Sequence, residues 1–350
     1  MLPKDFLYLM TKVNPRRSCR IVRRADQQGT RSAMVVQDSP IVSEKFVRDL
    51  KDKILRCKHP MIFSTFNVRT LNSIKQISEL TYNAVSLNID LICIQEHRLF
   101  HDNLSLKYHS VGMGWTFISS SAWKNSINAT IGGVGILISP RAMRCLNNIQ
   151  KVSPRIIVAS FQGNPCSTTI SCYSPTNVSE EEQLVKFYDD LSSVMREIPK
   201  HNVLVICGDF KAHIGKNEAN RFSFHNEANR NGQYLTDFAL ENKLQILNTK
   251  FMKKPGKLWT FTYPNGTKSQ LDFILINRKW VNSVINCEAY HTFEGVNSDH
   301  RIVSANICLR LRANKIKLNK TPLYNWTYLA HDKNLQTQYT VEVKNRLQAL

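Results

Sequence analysis

The sequence predicts an α/β protein in which mixed β-sheets are covered by helices. Short, mainly apolar runs of five or six residues alternate with amphipathic stretches between residues 61 and 311. Apolar runs of this length are typical of strands buried on both faces. An Asn-Gly pair at residues 265 and 266 lies between two strand-like segments and predicts a hairpin. Because a hairpin adds antiparallel pairing to strands that alternate with helices, mixed sheets are favoured.

Six strands are predicted from these runs. In chain order they are MIFSTF (61–66), DLICI (90–94), GVGILI (133–138), TTISCY (168–173), VLVIC (203–207) and LDFILI (271–276). The hairpin falls within LWTFTYPNGTKSQLDFILI, so the last of these strands follows it directly.

Three helices are predicted from apolar residues that recur at helical spacing. They cover residues 73–88, 179–198 and 233–244. In the second helix, Ser179 and Glu182 have the spacing of a capping box. The predicted apolar faces are Ile74, Ile77, Leu80, Ala84 and Leu87; then Leu184, Phe187, Leu191, Val194 and Ile198; and then Leu235, Phe238 and Leu244.

The composition is that of a soluble globular protein, with 42% apolar and 21% charged residues. No apolar run approaches the about 20 residues that a membrane span needs, so no membrane partner is expected. The start of the chain also lacks a signal-peptide core. The nine cysteines are scattered without a C-x-x-C spacing, which argues against a zinc module or a disulfide framework. An intracellular, reduced protein is therefore expected.

The formal net charge of +20 is unevenly distributed along the chain. Residues 1–58 hold 14 basic and 6 acidic side chains, a net charge of +8. Residues 312–350 hold 7 basic and 2 acidic side chains, a net charge of +5. Such an excess favours a polyanionic partner, most often nucleic acid. We therefore divide the chain into a basic, poorly ordered arm (1–58), a central domain (59–311) and a basic linker (312–350). The cluster PRRSCRIVRR at 15–24 is either a nuclear-import signal or a chance cluster.

Polar residues interrupt the apolar runs at the ends of the predicted strands. A single aspartate after a strand is usually a turn former. A set of polar residues, each at a strand end, indicates instead a common site. The set consists of Asn67, Glu96, Tyr173, Asp209, Asp272 and the pair Asp299-His300.

This set suits the metal-assisted hydrolysis of a phosphoester. Mg²⁺ prefers oxygen ligands, which Glu96 supplies, with Asp209 and Asp299 available as further carboxylates; Mn²⁺ is an alternative ion. A histidine beside an aspartate, here His300, holds a phosphate or takes a proton. A second carboxylate such as Asp272 then fixes the tautomer of its ring.

Six blocks that contain these residues follow one another in order. They are FNVRTL (66–71), IQEHR (94–98), YSPTN (173–177), GDF (208–210), QLDFILI (270–276) and SDHRIV (298–303). Together they resemble the endonuclease/exonuclease/phosphatase superfamily. Within it the chain is most similar to the apurinic-type endonuclease domain of non-LTR (LINE-like) retrotransposons, because of NVRTL, the YPNG hairpin before QLDFILI and the linker after SDH.

The resemblance covers about residues 60–311 and implies a four-layer α/β sandwich, with two mixed β-sheets flanked by helices. It implies an active site at one edge of the two sheets. Glu96 is implied as the principal metal ligand, with Asn67 beside it. Tyr173 is implied to contact the phosphate, where its hydroxyl can donate to an oxygen as charge develops.

The resemblance also implies how the attacking water is activated. Asp209 aligns or deprotonates this water, and Asp299 belongs to the shell of the metal and His300. Asp272 pairs with His300. The sequence leaves open whether Asp209 or His300 is the base, since groups coupled around a metal need not have separable pKa values.

The chain departs from the family pattern at Lys211. The family block normally reads GDFN, with an asparagine that donates to the phosphate or the leaving group, whereas this chain reads GDFK. The lysine either still donates to a phosphate or places a cation beside the metal and pairs with Asp209 or Glu96. In the second case the chain is a decayed copy that keeps the fold and has reduced activity.

Three further residues, Trp259, Asn265 and Lys268, are predicted to contact DNA. Trp259 lies next to the hairpin and either stacks on a base or is a core aromatic within a strand. The hairpin around Asn265 either enters a DNA groove and selects the cleavage site or is an ordinary surface turn.

We therefore predict a Mg²⁺-dependent DNA endonuclease domain of a LINE-like element, located in the nucleus, that nicks one phosphodiester bond and leaves a 3′-hydroxyl. In a full element a reverse transcriptase, here supplied elsewhere, would use that end as a primer.

Two alternatives remain. One is a domesticated copy that binds DNA without cutting it, and Lys211 keeps it open. The other is a small-molecule or lipid phosphatase of the same superfamily, against which the charge of +20 argues. The chain is a fragment, a truncated copy or a host gene derived from one.

Overall fold

A computed structural model of the protein describes residues 59–71, 74–101, 105–290, 297–309 and 326–348. The predicted basic arm at 1–58 lies outside the described residues. The elements in chain order are β1 (Pro60–Asn67), α1 (Ile74–Ser86), β2 (Leu91–Gln95), β3 (Lys107–Ser110), β4 (Thr116–Ser119), β5 (Trp123–Lys124), β6 (Thr130–Ile131), β7 (Val134–Ile138), α2 (Pro140–Met143), β8 (Leu146–Ser153), β9 (Ile156–Phe161), β10 (Ser167–Tyr173), α3 (Glu181–Glu197), β11 (Val203–Asp209), α4 (Arg230–Glu241), β12 (Leu244–Ile246), β13 (Phe261–Thr262), β14 (Lys268–Ser269), β15 (Asp272–Asn277), β16 (Val284–Ala289), β17 (Val303–Cys308), α5 (Trp326–His331) and α6 (Lys333–Gln348).

Most of the strands form two mixed sheets. The seven-stranded sheet has the order β16-β17-β1-β2-β7-β4-β3, and the six-stranded sheet has the order β12-β15-β11-β10-β9-β8. Each sheet contains one parallel pair, β1 with β2 and β10 with β11. The other described pairs within the two sheets are antiparallel. The six predicted strands are all present, as β1, β2, β7, β10, β11 and β15.

Three buried apolar clusters join four layers. The first cluster lies between the two sheets and contains Phe63 of one and Val205 of the other. The second packs the six-stranded sheet against α3 and α4, through residues such as Leu191 and Leu235. The third packs the seven-stranded sheet against α1, through Leu80. The four-layer sandwich of two mixed sheets flanked by helices is therefore confirmed.

The capping box predicted for the second helix is wrong. α3 begins at Glu181, and Glu180 in the N-cap position makes no side-chain capping hydrogen bond. The Ser179 hydroxyl instead lies 2.9 Å from the hydroxyl of Thr176. The turn before the helix therefore uses the hydroxyl that a capping box would need.

The third helix begins and ends earlier than predicted. α4 starts after Asn229, whose Oδ1 accepts a hydrogen bond from the backbone N of Gly232 at 2.8 Å. Lys243 has a left-handed backbone with φ of 53° just after the helix. Leu244 was predicted on the helix face, but it lies in β12 because the chain has already turned there.

The predicted hairpin is present as β13 and β14, which pair antiparallel. Gly266 has a φ of 84°, a left-handed conformation that favours glycine at this position of the turn. The backbone N of Gly266 donates to the carbonyl of Tyr263 at 2.8 Å. Asn265 Oδ1 accepts from the backbone N of Thr267 at 3.0 Å, which is why an Asn-Gly pair fits this turn.

The segment 312–350, predicted as a basic linker, carries two helices in its described part, α5 and α6. These helices belong to a different compact unit from residues 39–311. The role of this segment as a linker stays a prediction. No helix among the described residues is long and apolar enough to cross a membrane.

Candidate active site

The ends of five strands bring the predicted polar residues to one edge of the two sheets. Asn67 ends β1, and Glu96 directly follows the parallel neighbour β2. In the other sheet Tyr173 ends β10 and pairs with Asp209, the last residue of β11. Asp209 in turn pairs with Asp272, the first residue of β15. Strand register therefore places Asn67 beside Glu96 in one sheet, and Tyr173, Asp209 and Asp272 side by side in the other.

Asn67 connects the two sheets at this edge. Its Nδ2 donates to Glu96 Oε1 at 3.0 Å and to Asp209 Oδ2 at 2.8 Å. The Tyr173 hydroxyl donates to the same Glu96 oxygen at 2.6 Å. The Asn67 amide thus bridges a carboxylate from each sheet, and the Tyr173 phenol binds the Glu96 carboxylate at the same point.

Lys211 places its ammonium group between these two carboxylates. Its Nζ lies 2.6 Å from Asp209 Oδ2 and 3.6 Å from Glu96 Oε1. The lysine side chain is only 17% exposed. Its backbone N also donates to Asp209 Oδ1 at 3.1 Å. The lysine therefore pairs with both carboxylates that were predicted as its partners.

The charges in this network keep one another ionised. Burial raises the pKa of Glu96, but the Lys211 charge and the hydrogen bonds from Tyr173, Asn67 and Arg98 outweigh it and lower the pKa to about 2. Burial lowers the pKa of Lys211, but Asp209, Tyr173 and Glu96 raise it well above its ordinary value. Burial, together with the neighbouring carboxylates, also raises the pKa of Tyr173. At neutral pH the site therefore holds ionised Glu96, a protonated phenol and an ammonium ion.

His300 lies on the other side of Asp209. Its Nδ1 is 2.9 Å from Asp272 Oδ2, and its Nε2 is 3.9 Å from Asp209 Oδ2. Burial lowers the pKa of His300, but the charge and hydrogen bond of Asp272 and the charge of Asp209 raise it above its ordinary value. Burial likewise raises the pKa of Asp272. Asp272 therefore orients the imidazole so that Nε2 faces Asp209.

Asp299, predicted to share the shell of the metal and His300, has a different partner here. Its Oδ2 lies 3.4 Å from Arg69 Nη1, and its backbone O accepts from Thr262 N at 3.0 Å. Among the described residues no hydrogen bond or ion pair joins its carboxylate to Glu96 or His300. Its side chain is 28% exposed, so it lies at the rim of the site.

Four non-glycine residues around the site have left-handed backbones. They are Arg69, Glu96, Arg98 and Lys211, with φ between 51° and 57°. Such conformations cost on the order of 1–3 kcal/mol each and cluster at functional sites. Three of them follow a strand end by one or two residues, where the chain turns sharply away from the sheet.

The residues predicted to contact DNA lie close to the site but are not core residues. Trp259 precedes β13 and is half-buried, so its assignment to the core of a strand is wrong. Lys268 Nζ and the guanidinium carbon of Arg301 lie 4.8 Å and 3.0 Å from the centre of its ring. Asn265 is exposed in the turn, and Phe261 of the same hairpin forms a bridge with His300. The hairpin is therefore connected directly to the candidate catalytic histidine.

Two arginines of the site were not identified from the sequence. Arg98 Nη2 donates to Glu96 Oε2 at 3.2 Å, and its place in the block IQEHR is the signal that points to it. Arg155 lies between Trp123 and Tyr173, with its guanidinium 4.7 Å and 5.4 Å from the two ring centres. Only the register of β9 and β10 brings Arg155 there, so no sequence motif could have found it.

The carboxylate oxygens at this edge are ligand atoms of the kind that a divalent cation binds. Glu96 and Asp209 offer carboxylate oxygens, which Mg²⁺ and Mn²⁺ prefer. The Lys211 ammonium between them shows that the two oxygens accommodate a positive charge. A second group, formed by Asp209, Asp272 and His300, has ligand atoms within 4.8 Å of one another. A metal ion at Glu96 and Asp209 therefore requires that the ammonium leave.

The low pKa of Glu96 predicts a specific loss of stability in acid. The pKa is about 2 in the folded protein against an ordinary 4.5, so the carboxylate stabilises the fold fully above about pH 5. This contribution is on the order of 3 kcal/mol, and about 2 kcal/mol of it is lost between pH 7 and pH 3. The free energy of unfolding should therefore fall more between pH 7 and pH 3 in the native protein than in Glu96→Gln. Equal losses in both proteins, or an equal effect of the exposed control Glu79→Gln, would contradict this assignment.

The chain is similar to known proteins in both sequence and fold. Residues 167–304 match the family described as endonuclease-reverse transcriptase. Craniofacial development protein 2 of Tragulus javanicus is 29% identical over 306 residues, which is 85% of this chain and 50% of that protein. The protein of the same name from Bos taurus is 29% identical over 272 residues, 75% of this chain and 43% of that protein. The chain thus spans about half the length of the curated relatives it matches.

Solved structures share the fold. The AP endonuclease LMAP from Leishmania major superposes with a TM-score of 0.57 at 12% identity, over 76% of this chain and 95% of that one. The 3′-5′ exonuclease NExo from Neisseria meningitidis superposes with a TM-score of 0.53 at 19% identity, over 71% of this chain and 100% of that one. The chain therefore shares the fold of these nucleases. Together with the family match over residues 167–304, this confirms the predicted resemblance to the endonuclease/exonuclease/phosphatase superfamily.

The similarity in fold extends to a retrotransposon endonuclease. The endonuclease domain of TRAS1, a telomere-specific non-LTR retrotransposon, superposes with a TM-score of 0.50 at 18% identity, over 72% of this chain and all of that one. Together with the endonuclease-reverse transcriptase match, this confirms the resemblance to LINE-like endonucleases.

Proposed function

We propose that this chain is the DNA endonuclease domain of a LINE-like retrotransposon, in which Lys211 lowers the activity. The observation that carries the proposal is the contact of Asn67 with Glu96 of one sheet and Asp209 of the other. This contact holds the two carboxylates at one point of the sheet edge. The same edge carries His300, oriented by Asp272. The arrangement is suited to hydrolysis of a phosphodiester bond.

The side chains divide the reaction between them. Asp209 orients the attacking water and accepts its proton, because it lies between Asn67 and the imidazole of His300. The raised pKa of His300 favours its protonated form, whose Nε2–H donates to a phosphate oxygen. The Tyr173 hydroxyl remains protonated and donates a hydrogen bond to a second phosphate oxygen. Glu96 and Asp209, with Asn67 beside them, would hold Mg²⁺ or Mn²⁺, which when bound stabilises the charge of the phosphate.

DNA is the proposed substrate because the chain carries a net charge of +20 and its structural neighbours include DNA-processing enzymes. The product of nicking would be a 3′-hydroxyl that a reverse transcriptase, supplied elsewhere, extends. A nuclear location follows from a chromosomal substrate. These finer assignments rest on the resemblance and on the charge.

The position of Lys211 favours a second candidate function, in which the domain binds DNA without cutting it. Its ammonium is paired with both carboxylates that a metal would need. A buried cation at this position also attracts a phosphate without a metal. The two functions differ only in whether a divalent ion displaces the ammonium.

A nicking assay on supercoiled plasmid separates these functions. We expect slow nicking that requires a high concentration of Mg²⁺ or Mn²⁺ and that EDTA abolishes. Binding of the plasmid without nicking at any metal concentration would support the second candidate. Nicking that persists in EDTA would contradict the proposed site. Hydrolysis of small or lipid phosphoesters without cleavage of DNA would favour a phosphatase.

The hairpin β13–β14 predicts a separate effect on target choice. Its strand residue Phe261 contacts His300, whereas its turn is exposed. Replacing residues 264–268 with a shorter turn should therefore change which sequences are nicked more than the overall rate. The positions of cleavage on end-labelled DNA give the measurement, made in a Lys211→Asn background so that nicking is fast enough to map. The same cleavage pattern with and without the change would show that the turn does not select the site.

A further inference from the structure

A cavity of about 540 Å³ lies at the end of the six-stranded sheet opposite to the candidate active site. β11 runs from Val203 near this cavity to Asp209 in the site, and β15 runs back from Asp272 to Asn277. Six residue steps of extended strand span about 20 Å. The C-terminal ends of α3 and α4 flank the cavity. It is therefore separate from the residues that surround Glu96.

The lining of this cavity is strongly basic. Among the described residues that line it, Glu241 is the only acidic one. None of its basic residues forms an ion pair with a carboxylate in the part of the chain that the structure describes. Five basic residues line the cavity: Arg196, Lys200, Lys243, Arg278 and Lys279. We call this site the basic cavity.

Basic residues near helix C-termini often serve only to complement the helix dipole. Here backbone and amide groups already satisfy these ends: Ile198 N donates to Met195 O, and Asn242 Nδ2 donates to Phe238 O at 3.0 Å. Lys243 in addition has a left-handed backbone, where glycine is favoured after a helix. Five positive charges are therefore more than the carbonyl groups of the two helix ends need as partners. Lys243 in addition adopts a backbone conformation that is unfavourable for a residue with a side chain.

We propose that the basic cavity binds a single-stranded nucleic acid through its phosphates. Concentrated cations attract a polyanion and release its counterions. A cavity of this volume admits the backbone of a single strand but not a duplex. Because the cavity lies about 20 Å from Asp209 along β11, its occupant is a different segment from the strand in the active site. This second site goes beyond the endonuclease function and does not depend on cleavage.

The test compares two triple variants of the full chain that remove the same charge. One carries Lys243→Gln, Arg278→Gln and Lys279→Gln. The control carries Lys75→Gln, Lys107→Gln and Arg144→Gln, three exposed residues outside the basic cavity. Thermal unfolding confirms that both fold. The probe is a short fluorescein-labelled oligothymidylate without Mg²⁺, and its affinity is measured by anisotropy across a range of salt concentrations.

We expect the cavity variant to bind the probe at least about tenfold more weakly, with the log–log salt slope reduced by about 2, since each lost phosphate contact contributes about 0.7. The control should stay within about twofold of the native protein. Equal losses in the two variants would show that only the overall charge matters and would overturn the proposal. Stronger competition by duplex DNA or by polyglutamate than by unlabelled oligothymidylate would also overturn it, in favour of a duplex or an acidic protein segment. Because the readout is binding without metal, the result is independent of whether the active site cuts DNA.

Discussion

Replacing Lys211 with asparagine is expected to raise the rate of plasmid nicking by about 10²–10³-fold. Asparagine is uncharged and donates through a fixed amide, so it leaves Glu96 and Asp209 free for a metal ion. The lysine ammonium occupies the space next to both, at 3.6 Å and 2.6 Å. A contact between unit charges at about 4 Å is worth about 4 kcal/mol at an effective dielectric constant of about 20, before desolvation. The lysine therefore competes effectively with Mg²⁺.

The same substitution should lower the concentration of Mg²⁺ needed for half-maximal nicking. Lys211→Arg keeps the charge and should nick as slowly as the native protein. The exposed residue Lys107 provides a matched control, because Lys107→Asn removes one positive charge away from the site. If the native protein nicks as fast as Lys211→Asn at low Mg²⁺, lysine is a working substitute for the asparagine and the interpretation as a decayed copy is wrong.

Removing either carboxylate should abolish the activity that Lys211→Asn restores. Glu96→Ala or Asp209→Ala in that background is expected to reduce the nicking rate by at least about 10²-fold, because the charge stabilisation by a metal ion is worth several kcal/mol. Asp209 is fully buried and Glu96 nearly so, and both are held by Asn67. The two changes should therefore act on the same step.

The control for these substitutions is Asp189→Ala, which removes an exposed carboxylate from α3. It should leave the nicking rate unchanged. The variants are compared at the same fraction of folded protein, because loss of a buried carboxylate beside Lys211 also affects stability. Nicking that survives both Glu96→Ala and Asp209→Ala would place the catalytic residues elsewhere in the chain.

The sheets, and the strand ends that form the candidate site, were largely predictable from the sequence. Apolar runs identify the strands because a strand between two layers has no solvent face. The polar residues at strand ends identify the site, since parallel neighbours such as β1 and β2 end at the same edge. The Asn-Gly pair identified the hairpin because this turn favours left-handed backbone at Gly266.

Features that depend on side-chain direction were not predictable in this way. Asp299 is adjacent to His300 in sequence, but its contact with Arg69 could not be read from that adjacency. Its place in the shell of a metal stays a prediction. The pairing of Arg155 with Tyr173 depends on strand register across 18 residues. Ser179 had the spacing of a capping residue, but the preceding turn supplied a closer partner in Thr176.

We infer that the Lys211 ammonium holds the cation position between Glu96 and Asp209. Anomalous diffraction from crystals of the native protein and of Lys211→Asn, both equilibrated with Mn²⁺, shows which cation lies there. We expect no manganese peak next to these two carboxylates in the native protein, with the lysine Nζ in that place, and a clear peak there in Lys211→Asn. A manganese ion bound to Glu96 in the native protein, with the lysine side chain turned away, would contradict the claim.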